Sequence, residues 1–151
     1  MKLAEAIQEI SETIEERLEE NKDNLGVENV KFGEAIKPSP RPPALILYID
    51  ELQVDDPKVS LEENWVLPVV LVSVVQDSKN PKEGQNKAIE IASNARSFLL
   101  KDKFQDLGLD IVSDVRSTRF KARANYSLSD RGGLYSSAAL VEVRFSILEP
   151  Y

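Results

Sequence analysis

The sequence of 151 residues contains no cysteine and no histidine. Without cysteine there is no disulfide, no thiolate nucleophile and no thiolate zinc site. Without histidine there is no imidazole for a nucleophilic triad or a proton relay near neutral pH. Catalysis would fall to carboxylates, lysine, tyrosine, serine or threonine, and no convergent acid or nucleophile stands out among them. The weak enzymatic option is carboxylate chemistry at Asp50 and Glu51. The sequence predicts a protein that is not an enzyme and holds no cofactor or metal. Long apolar runs are missing too. The longest, WVLPVVLVSVV, contains Pro68 and falls well short of the ~20 residues that span a bilayer. The opening MKLAEAIQEI lacks the continuous apolar core of a signal peptide. A protein made in a cytoplasm, with no membrane partner, is expected.

What is present suits one domain over residues 1–151. The composition is 42% hydrophobic and 30% charged, which is that of a chain with a real core. The net charge of −7 is uneven. Residues 1–66 hold 16 acids against 7 bases, whereas residues 116–131 hold five bases (Arg116, Arg119, Lys121, Arg123, Arg131) against one acid, Asp130. A general nucleic-acid binder would be basic overall. Opposite-signed regions suit pairing between copies of one chain.

Periodicity supplies the elements. Over residues 2–23, Leu3, Ile7, Ile10, Ile14 and Leu18 form one helical stripe. Seven glutamates (Glu5, Glu9, Glu12, Glu15, Glu16, Glu19, Glu20) fill the other faces, and Asn24 or Gly26 offers a stop. A short strand is expected over 27–36. The segment KPSPRPP (37–43) is stiff extended chain, feeding ALILYID (44–50), which is apolar on both faces and reads as a central strand. Residues 51–64 form an acidic excursion. There Asp55, Asp56, Glu62 and Glu63 match no Ca²⁺-loop spacing and read as a mobile acidic hairpin loop. Residues 65–76 form a β-branched strand, and Pro68 argues for an edge or a bulge near its start. Asn80 as N-cap, Pro81 at N1 and Glu83 open a second helix, which runs to about Lys101 on a stripe of Ala88, Ile91, Ala92, Ala95, Phe98 and Leu99. Gly84 belongs to no phosphate-loop motif. Strands follow at 109–115, 117–128 and 139–148, with a turn-rich loop at 129–137. The expected class is α+β, a mainly antiparallel sheet packed by two amphipathic helices in the order α-β-β-β-α-β-β-β.

The strand STRFKARANYSL (117–128) divides sharply. Phe120, Ala122, Ala124, Tyr126 and Leu128 fall on one side, and Arg119, Lys121, Arg123, Asn125 and Ser127 on the other. Single-strand readers interleave aromatic platforms with their basic groups. Here the aromatics take the core side, which argues against nucleic-acid readout. Two readings remain for the basic side: a solvated face, or a face for a neighbouring subunit. The acidic surplus on the first helix favours the second.

In length, order and character of elements the chain resembles the tail-terminator or tail-completion (head–tail joining) proteins of tailed bacteriophages and related particles. The resembling pieces are LAEAIQEISETIEERL, then VKFGEAIKPSPRPPALILYI with Gly33 and the prolines before an apolar strand, LPVVLVSVV, AIEIASNARSFLL and ALVEVRFSIL. The resemblance implies a structural virion protein. It would form a homo-oligomeric ring, usually of six subunits, that ends the tail tube at its head-proximal end and docks to a head-completion or neck protein, with DNA passing through unread. On that reading the subunit-interface candidates are Arg116, Arg119, Lys121 and Arg123 against Glu12, Glu16 and Glu19. The loop candidates for tube and neck partners are Asp55, Asp56, Glu62, Glu63, Arg131 and Tyr135. The alternative is a monomeric cytosolic adaptor that binds a basic protein through its acidic helix.

Overall fold

A computed structural model describes residues 2–33, 42–56, 62–76, 80–101, 107–122 and 134–148. The first stripe of apolar residues folds as α1 (Leu3–Glu20) and a single further turn, α2 (Lys22–Leu25), stopped by Gly26 at φ 77°. That left-handed C-cap is the conformation glycine adopts without a Cβ penalty. Ala6, Ile10, Ile14 and Leu18 are buried along α1. Then come β1 (Asn29–Phe32), β2 (Ala44–Ile49), β3 (Gln53–Asp56) and β4 (Glu62–Gln76), then α3 (Pro81–Leu100), and finally β5 (Val112–Lys121) and β6 (Leu134–Leu148). The Asn80 side chain caps α3 by accepting from the amides of Lys82 and Glu83 at 3.1 and 3.3 Å, as its N-cap position predicts.

The sheet runs β1-β2-β4-β6-β5, with β3 pairing β4 beyond the end of β2. Only β1 and β2 are parallel. An α+β fold with a mainly antiparallel sheet is therefore what forms. Its strands divide differently from expectation in three places. The expected strands at 109–115 and 117–128 are joined, as far as the described residues go, in one strand, β5, because the ladder to β6 continues through bulges at 112/114 and 117/119; residues 123–128 lie outside the described residues. The acidic excursion 51–64, expected as a hairpin loop, carries paired strands in its arms, β3 and the start of β4. And β6 begins at Leu134, inside the expected loop 129–137, because Leu134–Ser137 pair with Ser73–Gln76 of β4.

Strand β4 lies at the centre, between β2 and β6, so Pro68 marks neither an edge nor a bulge of the β4–β6 ladder. The carbonyl of Pro68 accepts from the Asp50 amide at 3.0 Å. A residue's N and C=O point to the same side of a strand, so the missing donor faces the turn where β2 gives way to β3. No ladder bond is lost to β6.

One face of the sheet carries Leu45, Leu47, Leu67, Leu71, Val141, Val143, Phe145 and Ile147, which join the buried stripes of α1 and α3 in one continuous core. Burying each such side chain contributes about 1.5–3 kcal/mol. Small residues on α3 (Gly84, Ala88, Ala92, Ala95) are all buried, as close helix–sheet packing requires. Under Ala88 the buried Ser73 hydroxyl donates to the Ala88 carbonyl at 2.6 Å and accepts from the Ser137 amide at 3.2 Å. This satisfies polar groups that would otherwise be costly at that depth. On the opposite face Ile46, Val72 and Val74 form a smaller cluster with Tyr48, Val70, Leu134 and Ala138 around it. That explains why ALILYID is apolar on both sides.

Candidate functional site

The first feature that could carry function is the outer half of β5. Val112 and Val115 are buried, but Thr118, Arg119, Phe120, Lys121 and Ala122 are all exposed. Phe120 pairs with Ala139 on the helix side of the sheet, yet it is 38% exposed. Over 117–122 the expected alternation holds for direction and fails for burial at Phe120; residues 123–128 of that segment lie outside the described residues.

Arg119 and Lys121 pair with Leu140 and Ala138 on the other side of the ladder. Neither has an acidic partner among the described residues. Arg116 differs: it is ion-paired with Asp114, two positions back on its own side, and lies opposite Glu142. Its charge is met within the subunit, and the uncompensated positive charge of the strand sits at Arg119 and Lys121. Arg123 and Arg131 lie outside the described residues.

A surface pocket of about 220 Å³ opens beside this stretch, lined by Ser93 and Arg96 of α3 and by Ser117, Thr118, Arg119 and Phe120 of β5. Arg96 is half-buried. Its Nε donates to Ser117 Oγ at 2.6 Å, so the guanidinium is held in place, and among the described residues its Nη groups have no acidic partner. The sequence reading passed over Arg96 because it sits in an alanine-rich packing helix. The signal was the Ser93–Arg96 pair one turn apart, beside the small residues that face the sheet.

At the other edge, α1 lies over β1. Glu15 Oε2 accepts from the Phe32 amide at 2.7 Å. Gly33 donates to Leu47 of β2 at 2.7 Å, so by alternation the Phe32 amide points away from the sheet. Glu15 closes that free edge. Glu19 accepts from Lys22 Nζ at 3.0 Å, and this bond, with the Glu19 charge, holds the Lys22 ammonium above the ordinary lysine value. A raised lysine pKa adds stability that is in place at neutral pH and is lost as the pH climbs past the raised value. Glu12 and Glu16 are exposed, Glu12 accepting from Gln8 at 2.9 Å. Arg17, the one base within α1, donates from Nη2 to the Leu107 carbonyl at 2.7 Å, tying the helix to the turn before β5.

The partner-loop candidates fall apart as a group. Asp55 and Asp56 lie in β3, and Glu62 and Glu63 at the start of β4, where Glu63 accepts from Trp65 Nε1 at 3.0 Å. Tyr135 is a correction. It sits in β6 opposite Val75 and packs against the main core, because the strand begins earlier than its turn-rich sequence suggests. Asp50 and Glu51 are exposed in the turn after β2, and Asp50 Oδ1 accepts from the Glu51 amide at 2.8 Å. That carboxylate orders its own turn. Among the described residues no helix is long and apolar enough to cross a membrane.

No protein-family model matches the chain, and no curated protein matches it. Function must therefore be argued from the surface. Chemically, the molecule offers an acidic helix over one edge of its sheet and two uncompensated cations with an exposed phenyl ring at the other. Such an arrangement suits recognition of a negatively charged surface.

Proposed function

We propose that the chain is a structural subunit of a tailed bacteriophage or phage-derived particle. In this reading it is a tail terminator that closes into a ring of six, ends the tail tube, and joins it to the neck of the head. The observation that carries the reading is the polarity of the subunit. Exposed Glu5, Glu12, Glu16 and Glu20 lie on the helix over the β1 edge, and exposed Arg119 and Lys121 lie on the edge strand β5. Unlike surfaces at opposite edges make a head-to-tail interface, and such an interface closes into a ring when the rotation between neighbours fits. A subunit of net charge −7 gives such a ring a strongly negative field. Where that field faces the lumen it repels the DNA backbone, so DNA slides instead of sticking. The order of elements that resembles the terminators lends further weight, and the working location is the virion, after assembly in the host cytoplasm.

Negative-stain electron microscopy of the concentrated protein tests this directly. Annular particles with a central hole are expected. A monomer at every concentration, by sedimentation velocity as well as by microscopy, would overturn the reading. The exposed acidic stripe of α1 also favours the second reading, a monomeric adaptor for a basic protein. Size-exclusion chromatography that showed a lone chain binding a basic partner stoichiometrically would choose it.

A further inference from the structure

We infer that the pocket between α3 and β5 is a carboxylate receptor, and that its occupant is the exposed Glu12–Glu16 pair on α1 of a second copy of this chain. The inference rests on the ring reading and names the contact that would build it. Four observations lead there.

First, the pocket gathers positive charge without an answer to it. Arg96 and Arg119 both line it, and neither has an acidic partner among the described residues. Second, the donors are arranged for an oxyanion. The Arg96 Nε bond to Ser117 Oγ orients the guanidinium, and an oriented guanidinium meets a carboxylate with two parallel N–H···O bonds. The hydroxyls of Ser93 and Thr118 line the same pocket and add further donors. A volume of about 220 Å³ holds a carboxylate and several waters, each water taking about 30 Å³. Third, the rim is apolar. Phe120, one of the few large exposed hydrophobic side chains, stands at the edge of the pocket, where the methylene stem of a glutamate can lie while its head reaches the arginines.

Fourth, the chain itself carries the matching group. Of the acids on α1, Glu15 is engaged with Phe32 and Glu19 with Lys22. Glu12 and Glu16 remain exposed one turn apart, and residues four apart on a helix present neighbouring side chains on one face. Among the described residues neither glutamate is paired with the arginines of its own subunit's pocket; α1 packs over β1, and its tie toward β5 is made by Arg17 at the turn before that strand. A second copy can bring its own pair to the pocket.

A complementary-defect experiment tests the contact. One variant, R96E/R119E, spoils the pocket; another, E12K/E16K, spoils the helix; a third carries all four changes. Sedimentation velocity of wild type should show closed oligomers. Each double variant alone should remain folded by circular dichroism and lose assembly, with association at least about tenfold weaker. Mixed in equal amounts, the two double variants should recover a closed oligomer in which they alternate, because each sound helix meets a sound pocket and each reversed helix meets a reversed pocket. The fourfold variant, with the charges exchanged, should recover the closed oligomer. If either double variant assembles like wild type, the pocket contact is wrong while the ring stands. If the fourfold variant stays monomeric while wild type assembles, charge exchange does not restore the contact and the assignment is overturned. If wild type itself never assembles, the ring and this contact fall together.

Discussion

The two edges of the sheet are built in opposite ways. At one edge β1 is four residues long, pairs in parallel with β2, lies under α1 and has its outward Phe32 amide occupied by Glu15. At the other edge β5 is ten residues long, pairs among the described residues with β6 alone, and leaves its outer half exposed with a phenyl ring and two cations that have no acidic partner among the described residues. Unpaired strand edges invite association, and proteins ordinarily cover or charge them. Here one edge is covered and the other is charged. A covered edge serves stability. A charged edge beside a pocket prevents indiscriminate strand pairing and still admits a partner of opposite sign. The difference teaches where this molecule ends as a fold and where it begins as a component.

Three substitutions would break or sharpen that contrast. The largest effect belongs to the centre that both edges share. Phe145 is fully buried and lies opposite Trp65 and Val112. Phe145→Ala should cost about 3–5 kcal/mol, read as a lower urea midpoint with an unchanged slope. At the covered edge, Glu15→Ala removes the acceptor of the Phe32 amide and should cost about 1 kcal/mol. Glu15→Gln, which keeps an acceptor, should cost less, and amide exchange at Phe32 should quicken only in the alanine variant. If Glu15→Ala is neutral and exchange does not change, the edge is not sealed by that bond. The smallest effect belongs to the charged edge. Arg119→Ala with Lys121→Ala should move the stability of the isolated subunit by no more than about 0.5 kcal/mol. A loss of 2 kcal/mol or more, on the scale of a buried network, would mean that these cations hold the fold together and are not held in reserve for a partner.

Several elements were legible from local signals. The apolar stripe of α1, the Gly26 stop, and the Asn80–Pro81 opening of α3 follow from rules that act within a few residues, and each appears where those rules put it. The doubly apolar β2 was legible for the same reason, since a strand buried on both faces must be apolar on both. Tyr135 and Phe120 were not. Tyr135 sits among turn-forming residues, but fifteen residues of pairing with β4 draw its segment into β6. Phe120 has the alternation of a core residue, yet it lies on the edge strand beside an open pocket and is exposed.

The amino-acid order by itself determined where the two long helices and the apolar strands β2 and β4 lie, the class of the fold, and the separation of acidic from basic charge along the chain, because these depend on neighbours in sequence. Only the tertiary structure decided that Pro68 fits a central strand and that Arg96 joins Arg119 at one pocket. Those outcomes depend on which strand lies beside which. Pairing is settled by burial of one shared core over long separations, and no local pattern records it.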